Sequence, residues 1–157
     1  MSAIVSSHSP DAVLRAVSVL NAGGLVGLPT ETVYGLAARA DKDDAVAKIF
    51  QAKGRPTGHP LILHICSISE LDRYAINVPS AALTLAQQCW PGPLTMLLNK
   101  TSAVSHLVTG GRETVAIRIP ANDCALKIIE QCGYGIAAPS ANTFGHVSPS
   151  TAQHVLD

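Results

Sequence analysis

Apolar positions change period several times along the chain. Val13, Ala16, Val17 and Leu20 recur at helical spacing behind Ser9-Pro10-Asp11, which offers a hydroxyl cap, a proline where no amide hydrogen is needed and an acid in the first turn. Gly23-Gly24 ends that helix. Residues 25–28 are a short apolar run stopped by Pro29, the form of a strand feeding a loop. Thr30-Glu31-Thr32 follows. Asp43-Asp44 then opens a helix whose Val46, Ile49 and Phe50 face a core while Lys48 and Lys53 stay polar, and Gly54 is its natural stop.

Residues 61–65 form the next strand, with His64 near its end. The first strand, this helix and this second strand are expected to bring Thr30, Glu31, Thr32, Lys53, Arg55, His59 and His64 to loops and strand ends. Such places bind ligands in an open α/β sheet. A helical patch begins at Ser69-Glu70-Leu71, and residues 79–89 form a clearer helix that Trp90-Pro91-Gly92-Pro93 stops. Residues 94–98 and 114–119 read as strands, joined by a loop at 101–113 that is expected to be mobile. Asn122 caps a helix through Cys132 that Gly133 stops, residues 136–138 are a brief strand, and Ser148-Pro149-Ser150 has the form of a final N-cap. The helix it opens ends within two turns, so the sequence is expected to be a C-terminally truncated domain.

Helices alternating with strands predict a single α/β domain with a largely parallel or mixed sheet. The length of 157 residues fits one core, and 47% hydrophobic with 14% charged residues excludes disorder. No apolar run reaches the roughly 20 residues of a membrane span, and the N-terminus lacks signal-peptide order, so a cytoplasmic protein without a membrane partner is expected. Eleven basic and eleven acidic side chains cancel, so net charge advertises no polyanionic partner. Cys66, Cys89, Cys124 and Cys132 form no Cys-x-x-Cys pair and read as reduced thiols.

Phosphate-binding glycine motifs are absent, and the six histidines show no metal-ligand spacing, so no metal site is expected. What remains is dispersed. Lys53 and Arg55 either form a solvated surface pair or diverge around one polyanion, the guanidinium giving a bidentate grip. Arg118 lies between Ile117 and Ile119 in an apolar strand, where a cation is costly unless it meets an anion. That anion is either a buried protein carboxylate or a ligand. Ser140-Ala141-Asn142 after a strand and proline is either a plain turn or a set of donors at a strand end.

The blocks PTETVYGL, KIFQAKGRP, HPLILHI, WPGPLT, VAIRIP and APSAN, in that order, resemble the YrdC family of threonylcarbamoyl-AMP synthases. The resemblance runs from about Leu25 to Ser148 and includes the Lys-x-Arg and Ser-x-Asn signature at Lys53, Arg55, Ser140 and Asn142. It implies a YrdC-like domain with a twisted, open, mixed sheet, flanking helices and a positively charged concavity. It also implies condensation of L-threonine, bicarbonate and ATP, with Mg²⁺, to threonylcarbamoyl-adenylate and pyrophosphate. That product would serve the threonylcarbamoyladenosine modification of tRNA, with tRNA or tRNA-modification proteins downstream.

Carried over by position, Lys53, Arg55, Ser140 and Asn142 would be catalytic. Arg55, His59, Thr114, Ser140 and Ser148 would bind ATP, and Thr32, His64, Arg118 and the Ala138 backbone would bind threonine. Family members continue past the point where this sequence stops, which adds to the expectation of truncation. Two further readings are an RNA-binding module without synthase activity and a carbamoyl-transfer domain of the hydrogenase-maturation type. The intact signature favours the synthase over the first, and no acylphosphatase or zinc-finger neighbour supports the second.

Overall fold

The computed structural model describes residues 2–157. Its elements run α1 (Ala12–Asn21), β1 (Val26–Leu28), β2 (Gly35–Arg39), α2 (Asp43–Lys53), β3 (Ile62–His64), a 3-10 turn (Ile68–Glu70) leading into α3 (Leu71–Tyr74), α4 (Ser80–Cys89), β4 (Met96–Asn99), α5 (His106–Thr109), β5 (Thr114–Arg118), α6 (Asp123–Cys132), β6 (Ile136–Ala137) and α7 (Ala152–Leu156). The strands form one open mixed sheet in the order β1-β2-β6-β3-β5-β4. Only β3 and β5 run parallel; the other neighbours are antiparallel. The α/β expectation with a mixed sheet holds.

Side chains alternate between faces along a strand, so register decides what each face carries. On one face Ala38, Ala137, Leu63, Ile117, Val115, Met96 and Leu98 join Val46, Ile49 and Phe50 of α2 in the larger core. The other face is covered only in part. Val17 and Leu20 of α1 and Ala125, Ile128 and Ile129 of α6 pack on Leu28, Ala37, Ile136 and Ala138. Beyond β3 this face opens, and Ile62, Ala116 and Leu97 line up across three strands, with Leu97 68% exposed.

Several expectations require correction. β2 escaped the sequence reading because Gly-Leu-Ala-Ala-Arg has small residues buried on both faces and no alternation to betray it. The strands before and after α2 are therefore β2 and β3, and β6 lies between them. The segment 101–113 holds α5 instead of a mobile loop. Ser105 Oγ accepts from the Leu107 amide at 3.0 Å, and Val108 and Thr109 are buried. The last helix is capped by Thr151, whose Oγ1 accepts from the His154 amide at 3.2 Å; Ser148-Pro149 stays outside it. Lys53, expected to stay polar, is only 2% exposed. The stops behave as predicted at Gly54 (φ 61°) and Gly133 (φ 70°), and Asn122 Oδ1 accepts from the Ala125 amide at 3.0 Å.

Candidate active site

The Thr30-Glu31-Thr32 turn is closed by its own hydroxyls. Thr30 Oγ1 donates to the Val33 carbonyl at 2.6 Å and accepts from the Thr32 amide at 3.2 Å. This turn faces the end of β5. There Arg118, 7% exposed, donates from Nε to the Gly92 carbonyl at 2.9 Å and from Nη1 to Thr32 Oγ1 at 3.3 Å. Its Nη2 is paired with the Glu31 carboxylate, whose other oxygen accepts from the Ala121 amide. The anion required by a cation in an apolar strand is thus a protein carboxylate, one that the sequence placed in the loop without linking it to Arg118. Glu31 keeps 24% of its side chain exposed, so this acceptor faces solvent while the guanidinium does not.

Lys53 leaves the last turn of α2 and points inward, and its Nζ donates to the Ser140 carbonyl at 2.5 Å and to the Asn142 carbonyl. Burial, helped by the neighbouring charge of Arg55, pulls its pKa down to about 8. It remains mainly an ammonium at neutral pH and braces the 140–142 turn from beneath. That turn is also stitched to the β2 entry. Gly35 bridges Ser140, the Ala141 amide donates to the Tyr34 carbonyl at 2.9 Å, and the Leu36 amide to the Pro139 carbonyl at 2.8 Å. A Cβ on Gly35 would lie 3.1 Å from that of Ala138, which is why the residue there has no side chain.

Arg55 donates from Nη2 to the Pro60 carbonyl at 3.0 Å, and its Nε is buried without a partner. Asn142 donates from Nδ2 to the carbonyls of Thr143 and His146 at 2.8 Å, while its Oδ1 is buried and unpartnered. Two orphaned polar atoms within one signature call for a ligand or water. Phe144, not singled out from sequence, sits between Arg55 and His59. The guanidinium carbon lies 5.7 Å from its ring centre, and the His59 ring is edge-on at 5.1 Å.

His64, 3% exposed, holds Nδ1 3.2 Å from the Ile62 carbonyl, and burial pushes its pKa down to about 4, so the ring is neutral. It pairs with Arg118 in the β3–β5 register. Ala138 is buried, and its amide donates to the Ile62 carbonyl at 3.1 Å. Thr114 begins the strand that Arg118 ends, on the same face and roughly 13 Å away at the usual strand rise. Ser148 is exposed beside Pro149, whose carbonyl accepts from the Tyr34 amide at 3.0 Å.

The 30–35 loop therefore joins two groups: Arg118, Thr32 and Glu31 on one side, and Lys53, Ser140, Asn142 and Arg55 on the other. Arg118 and His64 lie on the face of the sheet that Ile62 and Ala116 leave open; two clefts elsewhere, beside Gly23 and Lys48 and beside His8 and Lys127, include none of these residues. Cations and hydroxyls here, with the unpartnered Arg55 Nε among them, suit anionic ligands. Among the described residues, no group of three or more His, Cys, Asp or Glu side chains is placed to hold a metal ion. Nor, among the described residues, is any helix long and apolar enough to cross a membrane.

Comparison with known proteins bears on this arrangement. The chain is 50% identical over 142 residues to a threonylcarbamoyl-AMP synthase of Pyrococcus abyssi, covering 90% of this chain and 42% of that protein. It is 48% identical over 152 residues to the Bacillus subtilis protein of the same name, covering 96% and 44%. The chain thus spans less than half the length of these curated relatives. The crystal structure of P. abyssi Sua5 complexed with L-threonine superposes with a TM-score of 0.89 at 50% identity, covering 91% of this chain and 42% of that one. The Sua5/YciO/YrdC family model, described as telomere recombination, matches residues 18–157, and the chain belongs to that family.

Proposed function

We propose that this domain carries the threonylcarbamoyl-AMP synthase reaction, joining L-threonine, bicarbonate and ATP with release of pyrophosphate. The observation that carries the reading is the interlock of Lys53 with the Ser140 and Asn142 carbonyls, which joins three of the four signature residues, with Arg55 two positions after Lys53 in the chain. It is supported by relatives of that name at 48–50% identity.

In this reading Arg118 receives the threonine carboxylate with Thr32 beside it, and neutral His64 and the Ala138 backbone form the wall behind. Arg55, Ser140, Thr114, Ser148 and His59 line the path of the nucleotide. Lys53 acts mainly by holding the 140–142 turn, because its hydrogen bonds go to carbonyls. The threonine amine captures carbon dioxide to give a carbamate. A carbamate oxygen then attacks the α-phosphate, and the bond to pyrophosphate breaks. No side-chain nucleophile is required, so catalysis is positioning together with stabilisation of growing negative charge. The cations and hydroxyls gathered here fit the nucleotide and not a dedicated metal site. Mg²⁺ would arrive on the phosphates, where it neutralises charge.

The product is a mixed anhydride that must be consumed by an acyl transfer, which fits cytoplasmic tRNA modification. The test is pyrophosphate release from ATP, Mg²⁺ and bicarbonate with and without L-threonine. Threonine-dependent release is expected; release indifferent to threonine, or none, refutes the proposal.

A further inference from the structure

Phe144 is 42% exposed, yet it does not sit on a loose tip. Its amide donates to the Lys53 carbonyl at 2.9 Å. Gly145 turns the chain at φ 83°, and the Asn142 amide spans the loop to the carbonyls of Thr143 and His146. The brace holds the ring partly in solvent, and two neighbours set how it is presented. Arg55 lies over the ring at 5.7 Å and His59 meets it edge-on at 5.1 Å, so cation and imidazole fix its orientation while much of it stays free.

The same guanidinium carries the unpartnered Nε, suited to a phosphate oxygen, and Lys53, whose carbonyl holds the Phe144 amide, also holds the Ser140 turn. An anion-binding corner beside a rigid, half-bare aromatic ring is the pairing that recognises a nucleotide by its two unlike parts.

We propose that Phe144, oriented by Arg55 and His59, is the shelf on which the nucleobase stacks, which makes it a specificity-determining residue for the nucleotide. The inference rests on the synthase reading and adds a residue and a preference to it. Stacking depends on ring area, so the two-ring purine gains more than a pyrimidine, and the phosphates are held independently by Arg55 and the Ser140 turn.

The experiment compares binding of ATP, CTP and inorganic tripolyphosphate by titration calorimetry in the unmodified protein, Phe144→Ala and Phe144→Trp. Alanine is expected to weaken ATP by about 5- to 100-fold, the usual range for loss of one stacked base. It should weaken CTP less and leave tripolyphosphate unchanged, while tryptophan restores ATP. Unchanged ATP affinity in the alanine variant overturns the shelf and leaves the synthase reading intact. Equal loss of ATP and tripolyphosphate also overturns it, because the loop rather than the base contact has then failed. If the unmodified protein binds no ATP, both readings fall.

Discussion

Replacing Glu31 by glutamine removes a charge and almost no volume, so it isolates what the carboxylate does for Arg118. The guanidinium would keep the Gly92 carbonyl through Nε and the Thr32 hydroxyl through Nη1, and would lose its only anion. A hydrogen bond to a charged group contributes about 1.5–3 kcal/mol. The partner is a quarter exposed, which places the loss toward the lower end. Without ligand, Glu31→Gln should therefore lower the melting temperature by roughly 3–8 °C, at about 2–4 °C per kcal/mol for a domain of this size.

Threonine should show the opposite sign. On the proposed function its carboxylate takes Arg118 from Glu31 in the unmodified protein; in the variant it meets a neutral amide, so affinity should rise about 10- to 100-fold. Differential scanning fluorimetry over a threonine series and calorimetry at 25 °C read both effects. Threonine binding that is unchanged or weaker in Glu31→Gln would refute the reasoning, since Glu31 would then belong to the ligand's own pocket.

Other outcomes follow from the same geometry. Arg118→Ala should weaken threonine by about 30-fold or more while ATP changes by less than about threefold, and equal loss of both would show the clamp to be misplaced. Lys53 is held near pH 8, below its ordinary 10.5, so between those values the unfolded chain binds a proton that the fold has released. Its contribution to stability therefore rises with pH across that window, and urea melts should show the unmodified protein gaining on Lys53→Met from about pH 8 to 10; a constant difference contradicts this. His64, with its pKa near 4, should show no imidazole titration by NMR between about pH 5.5 and 8. Because the unfolded ring takes up its proton first, stability is lost as pH falls from about 6.5 toward 4, and a ring titrating near neutrality would contradict its burial.

Local signals in the sequence were legible. The acids at the start of α2 and the glycine at its end, the Asn122 cap and the apolar runs of β3 and β5 each follow from rules that act over a few residues. What could not be read was nonlocal. Lys53 looks like an ordinary helix-end cation until carbonyls 87 and 89 residues away come beneath it. Arg118 announced its need for an anion, but only the docking of the 30–34 loop on the end of β5 shows that Glu31 meets it. Phe144 carried no signal, since a lone aromatic after Ser-Ala-Asn has no period. β2 was hidden by burial on both faces, and strand order lies beyond any pattern along the chain.

Strand β6 has two residues, yet it alone ties β1 and β2 to β3, β5 and β4. Until residues 136 and 137 leave the ribosome, the nascent chain can build only two separate half-sheets with open inner edges, the kind of intermediate that pairs wrongly or recruits chaperones. Ser140 and Asn142 follow within a few residues and dock on the same strand entry. Joining the halves and assembling the signature are therefore one event, set by the emergence of β6, and a chain that stops short of it cannot present the site.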